Sequence, residues 1–96
     1  MIVLVVHYRV KPGTEELAKQ YIRKMQLNTR KEPGCRLYVG HQSLEDPQLF
    51  CFYEQYDNQA ALDAHRAAPY FRENITNGLE KIFESVTREL FQPVSN

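Results

Sequence analysis

The 96-residue chain has room for one domain, whose core buries roughly 60–65% of the surface of the unfolded chain. Hydrophobic residues at 43% and charged residues at 25% exclude a disordered chain, and twelve Lys and Arg against twelve Asp and Glu leave no basic stripe for nucleic acid. The longest apolar run, residues 2–6, is too short to span a membrane and lacks the basic lead and cleavage site of a signal peptide, so the cytoplasm is the expected location.

Residues 1–10 are rich in β-branched side chains and predict a strand. Ile2, Leu4, Val6, Tyr8 and Val10 fall on one side; Val3, Val5, His7 and Arg9 fall on the other. Apolar residues on both sides mark a central strand. Lys11-Pro12-Gly13 turns the chain. Residues 14 to about 32 then read as a helix, with Glu15 and Glu16 in the first turn and Arg30 and Lys31 in the last, as the helix dipole favours. Leu17, Ala18, Tyr21, Ile22 and Met25 give it one apolar stripe, and Pro33-Gly34 stops it.

Residues 35–43 alternate again, Leu37 and Val39 opposite Tyr38 and Gly40, and 45–47 form a hairpin loop. The strand at 49–56 sets Phe50, Phe52, Glu54 and Tyr56 on one face. Asp57 or Asn58 can cap a second helix over 59–67, which Ala68-Pro69 breaks. Phe71, Ile75, Leu79, Ile82 and Phe83 suggest a third helical stripe with Gly78 as its weak point. A last strand is expected over 86–91, followed by a loose tail from about 93 to 96.

The order strand, helix, strand, strand, helix, strand is the split βαβ pattern of an α+β ferredoxin-like fold, βαββαβ, with one domain over residues 1–96. Its four-stranded antiparallel sheet carries helices on one face only. The bare face is expected to show Val3, Val5, Tyr38, Phe50, Phe52 and Tyr56, too large an apolar patch to leave in water. A second copy of the sheet is the simplest cover, which predicts a homodimer.

Glu54 is the one acid on an aromatic face, and burial there raises a carboxyl pKa. His65, sharing a helix face with Leu62, is the natural partner. The two either satisfy each other at a helix–sheet junction or form a general base near neutral pH. His7 interrupts a strand of Val and Ile and is expected on the pocket side with Val3 and Val5, or else as a rim residue. Tyr38 and Tyr56 can supply hydroxyl donors or simply pack, and Tyr70 and Phe71 can lid a pocket. Arg36 and Arg66 are candidate anion partners, with solvated surface charge as the plainer reading. Cys35 and Cys51 read as small apolar strand residues, without the spacing of a zinc site or a disulfide framework. No metal is expected.

Glu32-Pro33-Gly34-Cys35 followed by Tyr38, then Phe52-Tyr53-Glu54-Gln55-Tyr56, Ala61-Leu62-Asp63-Ala64-His65 and Pro69-Tyr70-Phe71, resembles the antibiotic biosynthesis monooxygenase family. The resemblance implies a dimeric α+β barrel with a small pocket in each subunit. It places the family's strand-three acid on Glu54, its helix-two histidine on His65, and a pocket-facing position late in strand one on His7. Two departures stand out. Ala68-Pro69-Tyr70 replaces the Ser/Thr-Pro-His of many relatives, and Tyr56 stands where many carry Trp.

One branch of that family oxygenates quinols or hydroxy-anthrones without metal or flavin, a second isomerises a phosphorylated quorum-signal sugar, and a third degrades haem through a histidine that residues 72–75 lack. The resemblance therefore implies a cofactor-independent monooxygenase of a small electron-rich aromatic, quinol or polyphenol-like, with molecular oxygen as co-substrate. His65 with Glu54 would be its base, and His7 a third catalytic candidate. Tyr38, Phe50, Phe52, Tyr56, Tyr70 and Phe71 would contact the substrate. An isomerase of a phosphorylated carbonyl needs nearly the same parts. A non-catalytic dimer that binds a small metabolite is the third reading.

Overall fold

The computed structural model describes residues 1–95. Its elements are β1 (Ile2–Val10), α1 (Glu15–Thr29), β2 (Cys35–Gln42), β3 (Leu49–Tyr56), α2 (Gln59–Ala67), α3 (Pro69–Phe71) and β4 (Phe83–Phe91). A π-helical stretch, Arg72–Thr76, and a 3₁₀ turn, Leu79–Lys81, lie between α3 and β4. The sheet is antiparallel in the order β2-β3-β1-β4, the ferredoxin-like arrangement. Among the described residues, no helix is long and apolar enough to cross a membrane.

Three boundaries differ from expectation. α1 ends at Thr29, because residues 30–34 tighten into turns: the Glu32 amide donates to the Thr29 carbonyl at 2.9 Å and the Cys35 amide to Glu32 at 3.1 Å. The apolar stripe from Phe71 to Phe83 is no continuous helix. The Asn77 amide reaches back five residues to Arg72 at 2.8 Å, and a Cβ on Gly78 would strike the Asn74 carbonyl and Tyr21. β4 consequently begins at Phe83, which pairs with Val10 beyond an irregularity in the ladder. Residues 93–95 carry neither helix nor strand, and Asn96, the last of the expected loose tail, lies outside the described residues.

The largest correction concerns which face the helices cover. Leu4 pairs with Glu54, Val6 with Phe52 and Tyr8 with Phe50, so these residues share one side of the sheet. Leu4, Val6, Tyr8, Tyr38, Phe50, Phe52 and Tyr56 are buried in one cluster with Ala18, Ile22 and Met25 of α1 and Leu62 of α2. The bare face instead carries Val3, Val5 and His7, opposite Gln55, Tyr53 and Cys51, with Val39 alongside. The aromatic residues expected on that face all point to the helices.

Candidate active site

Three elements converge on the covered face near the middle of the sheet. Glu54 sits in β3 between Leu4 of β1 and Tyr38 of β2. α2 starts at Asn58, whose side-chain oxygen accepts the Ala61 amide at 2.9 Å, and it turns Leu62 and His65 inward. Glu32 arrives from the turn after α1. Gly34 lets that turn meet α2, since a Cβ there would overlap the Ala61 side chain. The Asp57 amide ties the two segments by donating to the Gly34 carbonyl at 2.9 Å.

His65 is 2% exposed and lies between two carboxylates. Its Nδ1 is 3.0 Å from Glu32 Oε2, and its Nε2 is 3.8 Å from Glu54 Oε1. Tyr70 donates its hydroxyl to Glu32, and Tyr56 donates to Glu54 Oε1 at 2.6 Å. The rings of Tyr38, Tyr56 and Phe71 surround the imidazole, their centroids 5.3–5.5 Å away. In the tautomer with its proton on Nδ1, His65 donates to Glu32 and turns the Nε2 lone pair toward Glu54.

Burial sets the electrostatics. It pushes the Glu54 carboxyl, 3% exposed, up to about 7, against the pull of the Tyr56 hydrogen bond and the charges of Arg66 and Arg88. It lowers the His65 pKa, against the hydrogen bond to Glu32. A carboxyl raised toward neutral beside an imidazole held neutral is the kind of pairing a general acid–base couple uses. Burial also raises the Tyr38 hydroxyl well above the ordinary phenol range, which keeps it a hydrogen-bond donor.

These groups face a cavity of about 40 Å³ lined by Leu4, Val6, Tyr38, Phe52, Glu54 and His65 on the sheet and α2 side. Phe71, Ile75 and Phe83 wall the other side, and Arg66 and Arg88 also reach it. Its closed volume holds only about two or three water molecules. A larger recess of about 540 Å³ lies across Arg66 and Phe71, which line both spaces. Among the described residues, the Tyr38 hydroxyl has no protein hydrogen-bond partner, although the residue is buried and lines the cavity. No three His, Cys, Asp or Glu side chains among the described residues gather as a metal would require.

Of the residues singled out from sequence, Glu54, His65, Tyr38, Phe52 and Phe71 meet at this cavity. Tyr56 and Tyr70 stand behind it, their hydroxyls already committed to Glu54 and Glu32. Phe50 lines a separate hollow under α1 with Ile22. His7 is exposed on the bare face between Cys51 and Thr87, so its expected place on the pocket side with Glu54 is wrong. Arg36 is paired with Asp57. Cys35 and Cys51 are free and half-buried. Sequence reasoning passed over Glu32 as a site residue. Its only signal was a lone acid before Pro33-Gly34, where the chain must turn sharply.

A family model described as "Antibiotic biosynthesis monooxygenase" matches residues 1–76, a span that contains Glu32, Glu54 and His65. The chain is 36% identical over 76 residues to sll1783, an uncharacterised protein of Synechocystis; the match covers 75% of this chain and 49% of that protein, about half its length. A crystal structure described as an antibiotic biosynthesis monooxygenase superposes with a TM-score of 0.92 at 26% identity, covering 99% of this chain and 100% of the other. PA3566 of Pseudomonas aeruginosa does so at 0.91 and 26%, covering 98% and 94%.

Proposed function

The chain belongs to the antibiotic biosynthesis monooxygenase family, and from that premise we propose that it is a cofactor-independent monooxygenase of a small electron-rich dihydroxyarene. The observation that carries the reading is the imidazole of His65, buried between Glu54 and Glu32 beside an apolar cavity. In this reading His65, assisted by Glu54, removes the phenolic proton, and the Tyr38 hydroxyl donates to the resulting oxyanion. Phe52, Phe71 and Ile75 exclude water from the electron-rich anion.

The anion passes an electron to oxygen, which evades the spin barrier that protects closed-shell organics. The balance is dihydroxyarene plus O₂ giving hydroxyquinone plus water, so the arene is the only reductant. A ring does not fit 40 Å³; it enters as Phe71 and Ile75 yield toward the adjoining recess. Both belong to the α-to-π segment between Pro69 and Thr76, whose irregular backbone can repack. We further propose that a second copy covers the bare sheet face, where Val3, Val5, Val39 and Tyr53 form an apolar strip.

The test is oxygen uptake with menadiol-like quinols, corrected for autoxidation. Wild-type protein is expected to consume oxygen and form the hydroxyquinone in equal amounts. His65→Gln is expected to lose about 10²–10⁴-fold in rate with the fold retained. Uptake no faster than the uncatalysed reaction across electron-rich phenols would overturn the oxygenase reading. Proton exchange on a phosphorylated ketone, without oxygen uptake, would replace it with the isomerase.

A further inference from the structure

Two arginines line the cavity, and nothing in the reaction above uses them. Arg66 follows His65 on α2, and Arg88 lies on β4 opposite Val6, on the covered side of the sheet. Among the described residues neither has a carboxylate within salt-bridge distance, whereas Arg9 is paired with Asp46 and Arg36 with Asp57. Arg66 and Arg88 both line the same cavity as Glu54 and favour its ionised form. Arg88 falls outside the residues that match the family, so half of the pair lies in a part of this chain beyond that match.

Two like charges beside one hollow attract an anion, and both arginines are exposed, so they stand at its rim rather than inside it. The acid that lines the cavity, Glu54, is buried and has its Oε1 occupied by Tyr56. Arg66 also lines the larger recess beyond Phe71, so it stands where the two spaces meet. Guanidinium groups present a planar fork that fits a carboxylate or a phosphate.

We propose that Arg66 and Arg88 form an anion subsite at the mouth of the cavity, and that the substrate is an acidic dihydroxyarene whose carboxylate or phosphate they hold. The proposal rests on the reading of the cavity as the substrate site. The clamp anchors one end of the ring so that its hydroxyl approaches His65 and Tyr38, turning binding of a remote group into orientation at the reacting one. The acidic group stays at the wet rim, and only the ring displaces Phe71.

Equilibrium binding without oxygen tests the subsite apart from turnover. Three probes suffice: hydroquinone, 2,5-dihydroxybenzoate and 4-hydroxyphenyl phosphate. At least one acid is expected to bind about tenfold or more tightly than hydroquinone, and the tighter acid identifies the substituent. Arg66→Gln and Arg88→Gln are each expected to remove most of that preference while leaving hydroquinone affinity unchanged, which also reports that the variants fold. Equal affinity for acids and hydroquinone, loss of all three ligands together in the variants, or no binding of any probe overturns the proposal. Preserved discrimination with no oxygen uptake in air keeps the subsite and removes the oxygenase reading alone.

Discussion

The two faces of the sheet are built from alternate residues of the same four strands, yet they differ in almost every physical respect. On the covered face, Leu4, Val6, Tyr8, Phe50 and Phe52 lie under helices, and the acid among them, Glu54, is 3% exposed. On the bare face, Val3, Val5 and Tyr53 stand beside His7 and Gln55, and His7 is exposed. Both sets contain β-branched and aromatic residues, so apolar content alone does not separate them. The separation lies in where the polar residues can be satisfied. Glu54 and His65 can be buried only because Tyr56 and Glu32 meet them; among the described residues His7 has no such partner, and it faces outward.

Adjacent residues on β3 separate the two faces most strongly. Phe52 and Tyr53 are neighbours in sequence and point to opposite faces. Phe52→Ala is expected to destabilise by about 3–5 kcal/mol in denaturant titration, the loss for deleting a buried ring. Tyr53→Ala is expected to cost about 1 kcal/mol in dilute solution, where the half-exposed ring supports only its neighbours. If a second copy covers that face, the Tyr53→Ala loss grows with protein concentration and sedimentation shows a weakened dimer. Equal losses at all concentrations would mean that the two faces are equally buried.

Strand and helix order, the limits of α2 and its Asn58 cap were all legible in the sequence, because each rests on local periodicity or a cap. The meeting of Glu54 with His65 was legible too, since α2 follows β3 after a two-residue turn. The face was not. Alternation says which residues of one strand travel together, but joining the set of β1 to that of β3 needs a register between strands separated by α1 and β2. A shift of one residue reverses every assignment, as it did for Tyr38, Phe50, Phe52 and Tyr56, which were expected beside Val3 and Val5 and lie on the other face. Glu32 was hidden for a related reason: its position depends on the close approach of Gly34 to Ala61, a contact 27 residues apart in the chain.

Titration sharpens the contrast between a covered acid and an exposed one. Burial holds the Glu54 carboxyl up at about 7 from its ordinary 4.5, so the folded protein keeps a proton that the unfolded chain releases. That contribution is present at low pH and is lost as pH rises from about 4.5 to 7, on the order of 3 kcal/mol. His65 acts in the opposite sense: its lowered pKa makes the fold lose stability as pH falls below 6.5. The two partly cancel in the wild type and separate in Glu54→Gln, which keeps the volume and removes the charge. Relative to wild type, Glu54→Gln is expected to gain stability between pH 5 and pH 8 by on the order of 3 kcal/mol, read from urea midpoints across that range. A difference that stays flat with pH would place the Glu54 carboxyl in water.

Within the covered face itself, two tyrosines make the smallest and finest version of the comparison. Tyr56 donates its hydroxyl to Glu54 at 2.6 Å, whereas the Tyr8 hydroxyl is fully buried with no partner among the described residues. The Tyr8 ring is well placed, its centroid 4.7 Å from Phe83, 5.5 Å from Phe52 and 5.7 Å from Phe50. Its ring therefore contributes packing while its oxygen contributes only desolvation. Tyr8→Phe is expected to stabilise the fold by about 1 kcal/mol, and Tyr56→Phe to destabilise it by about 1–3 kcal/mol above pH 7, where Glu54 is ionised and loses its donor. Denaturant titrations at pH 8 measure both. Should Tyr8→Phe destabilise instead, the hydroxyl must be held by a water or ligand inside the covered face, and the polar network around Glu54 would extend one strand further than His65 and Glu32 imply.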